Sequence, residues 1–180
     1  SDRGNYQNWE DAGRKLIDSI EELGVLVMVS GIVGGATRRR LEPEEFRGFA
    51  LADPLAPVIF VNGADTKAAQ IFTLVHELAH IWAGHTGLSD ARISETQGQT
   101  REVWANMVAA EVLLPLSVIR SEYAGTTAVS ELERLAKKYR VSTLVVLGRI
   151  RDAGMLSWDD YRALFGLELD RIKQILADRG

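Results

Sequence analysis

The spacing of apolar residues divides the chain into a strand-rich first third and a helical remainder. Leu16, Ile20 and Leu23 recur at steps of four and three, which predicts a helix over Trp9 to Leu23, stopped by Gly24. Val25 to Val29 is a continuous apolar run of the kind a short buried strand shows. Gly31, Gly34 and Gly35 then read as a loop ending in Arg38-Arg39-Arg40. Phe46 to Leu51 is a second candidate strand. Val58 to Val61 is the clearest one, bounded by Pro57 and by Asn62-Gly63. From there the pattern is helical. Asp65 or Thr66 caps a helix running to about His85, and a glycine-punctuated loop covers residues 84–98. A helix from about Thr100 to Leu114 stops at Pro115. Shorter helices follow near 116–123, 128–139, 142–153 and 157–176. The expected class is α+β: a small N-terminal β-sheet beside a mostly helical remainder that ends in a helical C-terminal part. The expected division is a core over 1–124 and a helical subdomain over 125–180 packed on it.

Composition narrows the function classes. At 180 residues, with 46% hydrophobic and 26% charged residues, the chain has enough apolar mass for a buried core. Cysteine is absent, which excludes a disulfide framework, a thiolate metal site and a cysteine nucleophile. No apolar run approaches the roughly 18 residues of a membrane span, and no signal peptide is visible. The net charge of −4 gives no general attraction to nucleic acid. It is uneven, however. Residues 1–90 carry 8 basic and 13 acidic side chains and residues 91–180 carry 13 and 12, so the halves differ by −5 against +1. Arg134 to Arg151 holds six basic residues and no acidic one.

The chemistry-bearing feature is His76-Glu77-Leu78-Ala79-His80, an H-E-x-x-H inside a predicted helix. Residues four apart lie roughly 40° apart around a helix, so both imidazoles face the same way and can share a metal. Glu77 lies on the adjoining flank, where a carboxylate can serve as general base toward an attacking water. Imidazole pairs suit Zn2+. The alternative is a pair of core-facing histidines, but by chance this pattern arises in only about one chain of this length in a couple of hundred.

A catalytic zinc takes three protein ligands and keeps one position open. His85 is nine residues from His76, on roughly the opposite side of the same helix, where it reads as a C-terminal residue favoured by the helix dipole. The third ligand is then a carboxylate from among Asp90, Glu95, Glu102 and Glu111. Glu102 shares one helix face with Ala105, Asn106, Ala109 and Leu113, whereas Glu111 falls on the far side with Trp104 and Met107. The small alanines allow a close helix–helix approach. A solvated acid in the first helical turn is the other reading of Glu102.

The run Asp65-Thr66-Lys67-Ala68-Ala69-Gln70 leading into His76–His80 resembles the ImmA/IrrE family of metallopeptidases. So does Glu102 to Pro115, which matches that family's E-x-x-A-N-x-x-A-A-x-x-L-x-P segment. The likeness runs from about residue 25 to 155 and includes Phe46 to Leu51 and Val58 to Gly63. It implies a zincin-like core, Glu102 as third zinc ligand beside His76 and His80, and one Zn2+ per chain. It also implies Glu77 as catalytic base and proteolysis in the bacterial cytoplasm. The implied substrate is a helix-turn-helix repressor whose cleavage derepresses stress or mobile-element genes. Many members carry an N-terminal helix-turn-helix. No such unit precedes the core in this sequence, so DNA binding does not carry over from it. In zincins a strand lies beside the active-site helix, and Val58 to Val61 fits that place, either as an open edge for an extended substrate or as a covered strand.

Leu132 to Gly154 reads as a helix-turn-helix-like hairpin, with Arg140 where the turn often has Gly. Its basic residues suit phosphates or an acidic protein partner. The alternative function is therefore a DNA-binding regulator acting through 128–154, or a partner-binding module with a structural metal. Trp82, Trp104 and Trp158 are expected in the core. Asn106 is a candidate hydrogen-bond partner of a zinc ligand. Tyr123, Tyr139 and Arg101 are all open as oxyanion-stabilising groups.

Overall fold

The structure is a computed structural model. It describes residues 8–33, 36–43, 46–89 and 96–178, the side chains of 33, 36–40, 87–89 and 96–98 excepted. By internal contact the chain forms two compact units, Ser1–Leu113 and Leu114–Gly180.

In the first unit, α1 (Trp9–Glu22) starts where the Asn8 side chain accepts a hydrogen bond from Asp11 N–H. It ends before Gly24, whose φ of 85° only glycine adopts freely. The strands are β1 (Leu26–Ser30), β2 (Ile32–Val33), β3 (Ala36–Arg40), β4 (Gly48–Leu51), β5 (Val58–Asn62) and β6 (Gly87–Ser89). The expected loop after Gly31 is instead the two-stranded β2–β3 ribbon, with the arginine run inside β3. The other four strands form one sheet in the order β1-β5-β4-β6, parallel between β1 and β5 and antiparallel elsewhere. β5 is thus bonded on both sides. The open-edge reading of Val58 to Val61 is closed, because backbone groups already paired with β1 and β4 cannot add another strand.

Helix α2 (Lys67–Trp82) packs on this sheet. Period-two alternation on β5 turns Ile59 and Val61 toward α1 and α2, where they meet Ile20, Val25, Leu74 and Leu78 in a closed core. Phe60 points to the other face and stacks on Phe49 at 5.5 Å between ring centroids. The start of α2 is fixed to the sheet by polar bonds. Buried Asn62 donates to the Phe46 carbonyl and accepts from Ala64 N–H. Gln70 Nε2 donates to the carbonyls of Gly63 and Asp65. The Thr66 side chain caps the helix, as the sequence suggested. Helix α3 (Thr96–Leu113) lies against α2, four residues longer at its start than its pattern predicts.

The second unit holds α4 (Leu116–Glu122), α5 (Val129–Tyr139), α6 (Thr143–Asp152) and α7 (Trp158–Ala177). Helix α4, within the expected 1–124 core, groups with this unit and packs on α6. The α5–α6 hairpin forms as expected, and Arg140 takes the left-handed turn conformation at φ 55° that glycine would occupy more easily. Its basic residues are mostly engaged inside the unit. Arg134 binds Glu131 and the Glu122 carbonyl, and Lys138 binds both Glu122 carboxylate oxygens at 2.7 and 2.8 Å. Arg149, buried, donates to the Leu114 carbonyl. Arg151 pairs with Asp152 and lies over the Trp158 and Tyr161 rings. Arg140 is buried, and Lys137 is exposed.

All three tryptophans expected in the core are exposed, Trp82 and Trp158 by more than half. Trp82 is the last residue of α2, and Trp158 opens α7 as the outer partner of Tyr161 and Arg151. Among the described residues, no single helix is long and apolar enough to cross a membrane.

Candidate metal centre

From Gln70 to His80 every residue of α2 except Phe72 is buried, because the sheet and α1 cover one side and α3 the other. Leu74 and Leu78 face the core. The next positions around the helix are Thr73 and Glu77, then His76 and His80. His76, Glu77 and His80 are 5%, 0% and 7% exposed, a depth at which ionisable groups need partners.

Across from them α3 presents the face read from the sequence. Ala105, Ala109 and Leu113 are fully buried, and the small alanines bring the two helices close. His80 then stands opposite Glu102 and His76 opposite both Glu102 and Asn106. His76 Nε2 is 3.1 Å from Glu102 Oε2, His80 Nε2 is 3.2 Å from Glu102 Oε1, and the two Nε2 atoms are 3.1 Å apart. Glu111 is exposed on the far face. Asp90 and Glu95, the other candidate carboxylates, lie outside the described residues.

Burial, reinforced by the neighbouring His80 and opposed by the Asn106 hydrogen bond, pulls the His76 pKa down to about 4. Burial also lowers His80, with His85 and Arg101 adding to it. Burial raises Glu102. The short His–Glu contacts are therefore not ion pairs at neutral pH: both imidazoles are uncharged, the state in which histidine ligates metals. His76 Nδ1 lies 3.0 Å from Asn106 Oδ1. That oxygen only accepts, so the His76 proton sits on Nδ1 and its Nε2 lone pair is turned into the cluster.

Three donor atoms, all within 4.8 Å of one another, thus converge on one point. Bonds of 2.0–2.1 Å in tetrahedral geometry put ligand atoms roughly 3.3 Å apart, close to the spacing found here. The donor set fits a divalent metal of the zinc type.

Residues 20–151 match the family model described as the IrrE N-terminal-like domain, a peptidase family. The chain belongs to this family. No curated protein matches it. The matched span covers the whole of α2 and α3, so the His76–His80–Glu102 cluster lies inside the family's domain.

In this IrrE-like chain the sequence reading misplaced one residue near the cluster and passed over another. His85 does not continue around α2, because the helix ends at Trp82 and Gly84, at φ 68°, reverses the backbone. His85 N–H bonds the His80 carbonyl, and the two rings lie 6.4 Å apart. A helical wheel fails once the helix has stopped, and Gly84, a helix-stopping glycine just before His85, was the available signal. The other is Gly48, which lies against Glu77.

Removing the Asn106 acceptor tests the role assigned to it. Asn106→Ala is expected to weaken metal binding by about 10–100-fold, the usual effect of losing such an outer partner. Competition titration against a chromophoric chelator measures it, and unchanged affinity refutes the role.

Proposed function

We propose that the chain is a zinc-dependent endopeptidase that cuts one partner protein, a helix-turn-helix repressor, in the cytoplasm, releasing stress or mobile-element genes from repression. The observation that carries the peptidase reading is the convergence of two imidazoles and a carboxylate beside a fully buried glutamate. Membership of a peptidase family supports it. The repressor, the regulated genes and the location rest on the resemblance of the motifs alone.

In this reading His76, His80 and Glu102 hold Zn2+, which when bound supplies Lewis acidity at the scissile carbonyl. No fourth histidine or carboxylate joins the cluster among the described residues, and a structural zinc would need one. Glu77 removes a proton from the attacking water as the water oxygen bonds to the carbonyl carbon. As the C–N bond breaks, Glu77 returns that proton to the leaving amine. Asn106 keeps His76 in the tautomer that ligates.

The DNA-binding reading is the weaker one, because the hairpin's basic side chains are largely used within their own unit. Incubating the purified chain with a candidate repressor, with and without a zinc chelator, tests the proposal. Two fragments are expected, lost on chelation and restored by Zn2+. Cleavage indifferent to chelation, or an intact repressor at every zinc level, refutes it.

A further inference from the structure

Gly48 opens β4 opposite Val61 of β5 and under α2. Its φ is not in the left-handed region, so the backbone does not require glycine there. Space does. A β-carbon on Gly48 would lie 2.6 Å from Thr73 Cγ2, 2.7 Å from the Phe60 carbonyl oxygen and 3.2 Å from Glu77 Oε1. A glycine inside a strand commonly marks such a close approach. Thr73 and Glu77 are one helical turn apart on the flank of α2 that faces this strand.

We infer that Gly48 is a positioning residue for Glu77: the missing side chain leaves the room in which the glutamate carboxylate is seated against the sheet. The inference rests on Glu77 as the proposed base. Glutamate has three side-chain torsions, so a base held at one point needs walls. Here the strand backbone is one wall, and Thr73 fixes how close it comes. A methyl group at position 48 displaces the carboxylate by a few tenths of an ångström or forces it off its rotamer. Misplacing a reacting group by about 1 Å costs roughly a hundredfold in rate, so a smaller shift is expected to cost about tenfold. Substrate contacts elsewhere are untouched, so the loss belongs in kcat and not in KM.

Thermal unfolding and cleavage by the full chain test this together. Gly48→Ala lowers Tm through all three contacts. In a Glu77→Ala background the contact with the carboxylate is gone, and the Tm loss caused by Gly48→Ala is expected to be smaller by roughly 2–4 °C. An equal loss in both backgrounds overturns the inference. With zinc bound as in the parent, Gly48→Ala is expected to cut kcat about tenfold with KM within about twofold. Cleavage at the parent rate overturns it as well. Adding Thr73→Ser removes the closest side-chain contact. Gly48→Ala/Thr73→Ser is expected to regain part of the Tm while kcat stays low, and recovery of kcat along with Tm assigns the effect to packing instead. Should Gly48→Ala fail to fold, the same cycle runs in the Thr73→Ser background. A parent chain that cleaves no repressor counts against the peptidase reading, while the Tm cycle still decides whether Gly48 seats Glu77.

Discussion

Glu77→Gln is expected to abolish repressor cleavage while leaving the folded, metal-loaded protein intact. Glutamine has the shape of glutamate, so the fit beside Gly48 is kept. Its amide cannot accept the proton of the attacking water. Losing a general base typically costs 10²–10⁴-fold, and the fall is expected in kcat. Stability should not drop, since Glu77 is fully buried and a neutral amide costs less to bury than a carboxylate. The zinc content should match the parent, because Glu77 is outside the His76–His80–Glu102 cluster. Binding without cutting makes the variant a substrate trap, readable as a stable complex on size exclusion. A regulator acting through the hairpin predicts the opposite: no effect of Glu77→Gln, and loss of output on reversing Lys137. Lys137 is the cleaner probe, because Lys138 is bonded to Glu122 and its reversal would damage the unit directly. A repressor band that vanishes as fast with Glu77→Gln as with the parent refutes the proposed mechanism.

What the sequence revealed of this molecule is what obeys a local period. The H-E-x-x-H spacing and the Glu-Ala-Asn-Ala face are helical properties, so both could be read off residue numbers, and the two faces meet in the structure. The α+β class followed from the change of spacing after Asn62. Long-range placement carried no such signal. That β5 sits inside the sheet is decided by β1 and β4 closing on its two sides. The strand's own sequence, apolar on both faces, reads alike at an edge or a centre. Similarly, the basic run over Arg134 to Arg151 suggested a charged surface until its partners were found. Glu122 lies outside that run, and the Leu114 carbonyl belongs to no charge pattern. Gly48 was invisible for a related reason: the atoms that leave no room for a β-carbon come from a helix and a neighbouring strand elsewhere in the chain.

Removing the third donor separates the site from its neighbours on the same helix. Glu102→Ala is expected to weaken zinc binding by more than the roughly 10–100-fold of an outer-partner loss, because a ligand itself is gone. Glu111→Ala is expected to leave it unchanged, since Glu111 is exposed on the opposite face of α3. The comparison is internal: two glutamates of one helix, each truncated identically. Stability provides the readout. A ligand that binds only the folded state adds about 2.7 kcal/mol at a hundredfold excess over Kd. That is a Tm rise of roughly 5–10 °C for a domain of this size. The parent and Glu111→Ala should show this rise on adding Zn2+, and Glu102→Ala should lose most of it. Without metal the difference shrinks. Glu102 is a partly buried carboxylate whose pKa burial raises, facing two neutral imidazoles, so its removal should cost the apo protein little. Equal zinc-induced rises in both variants would move the third ligand to Asp90 or Glu95 and leave His76 and His80 as the only assigned donors.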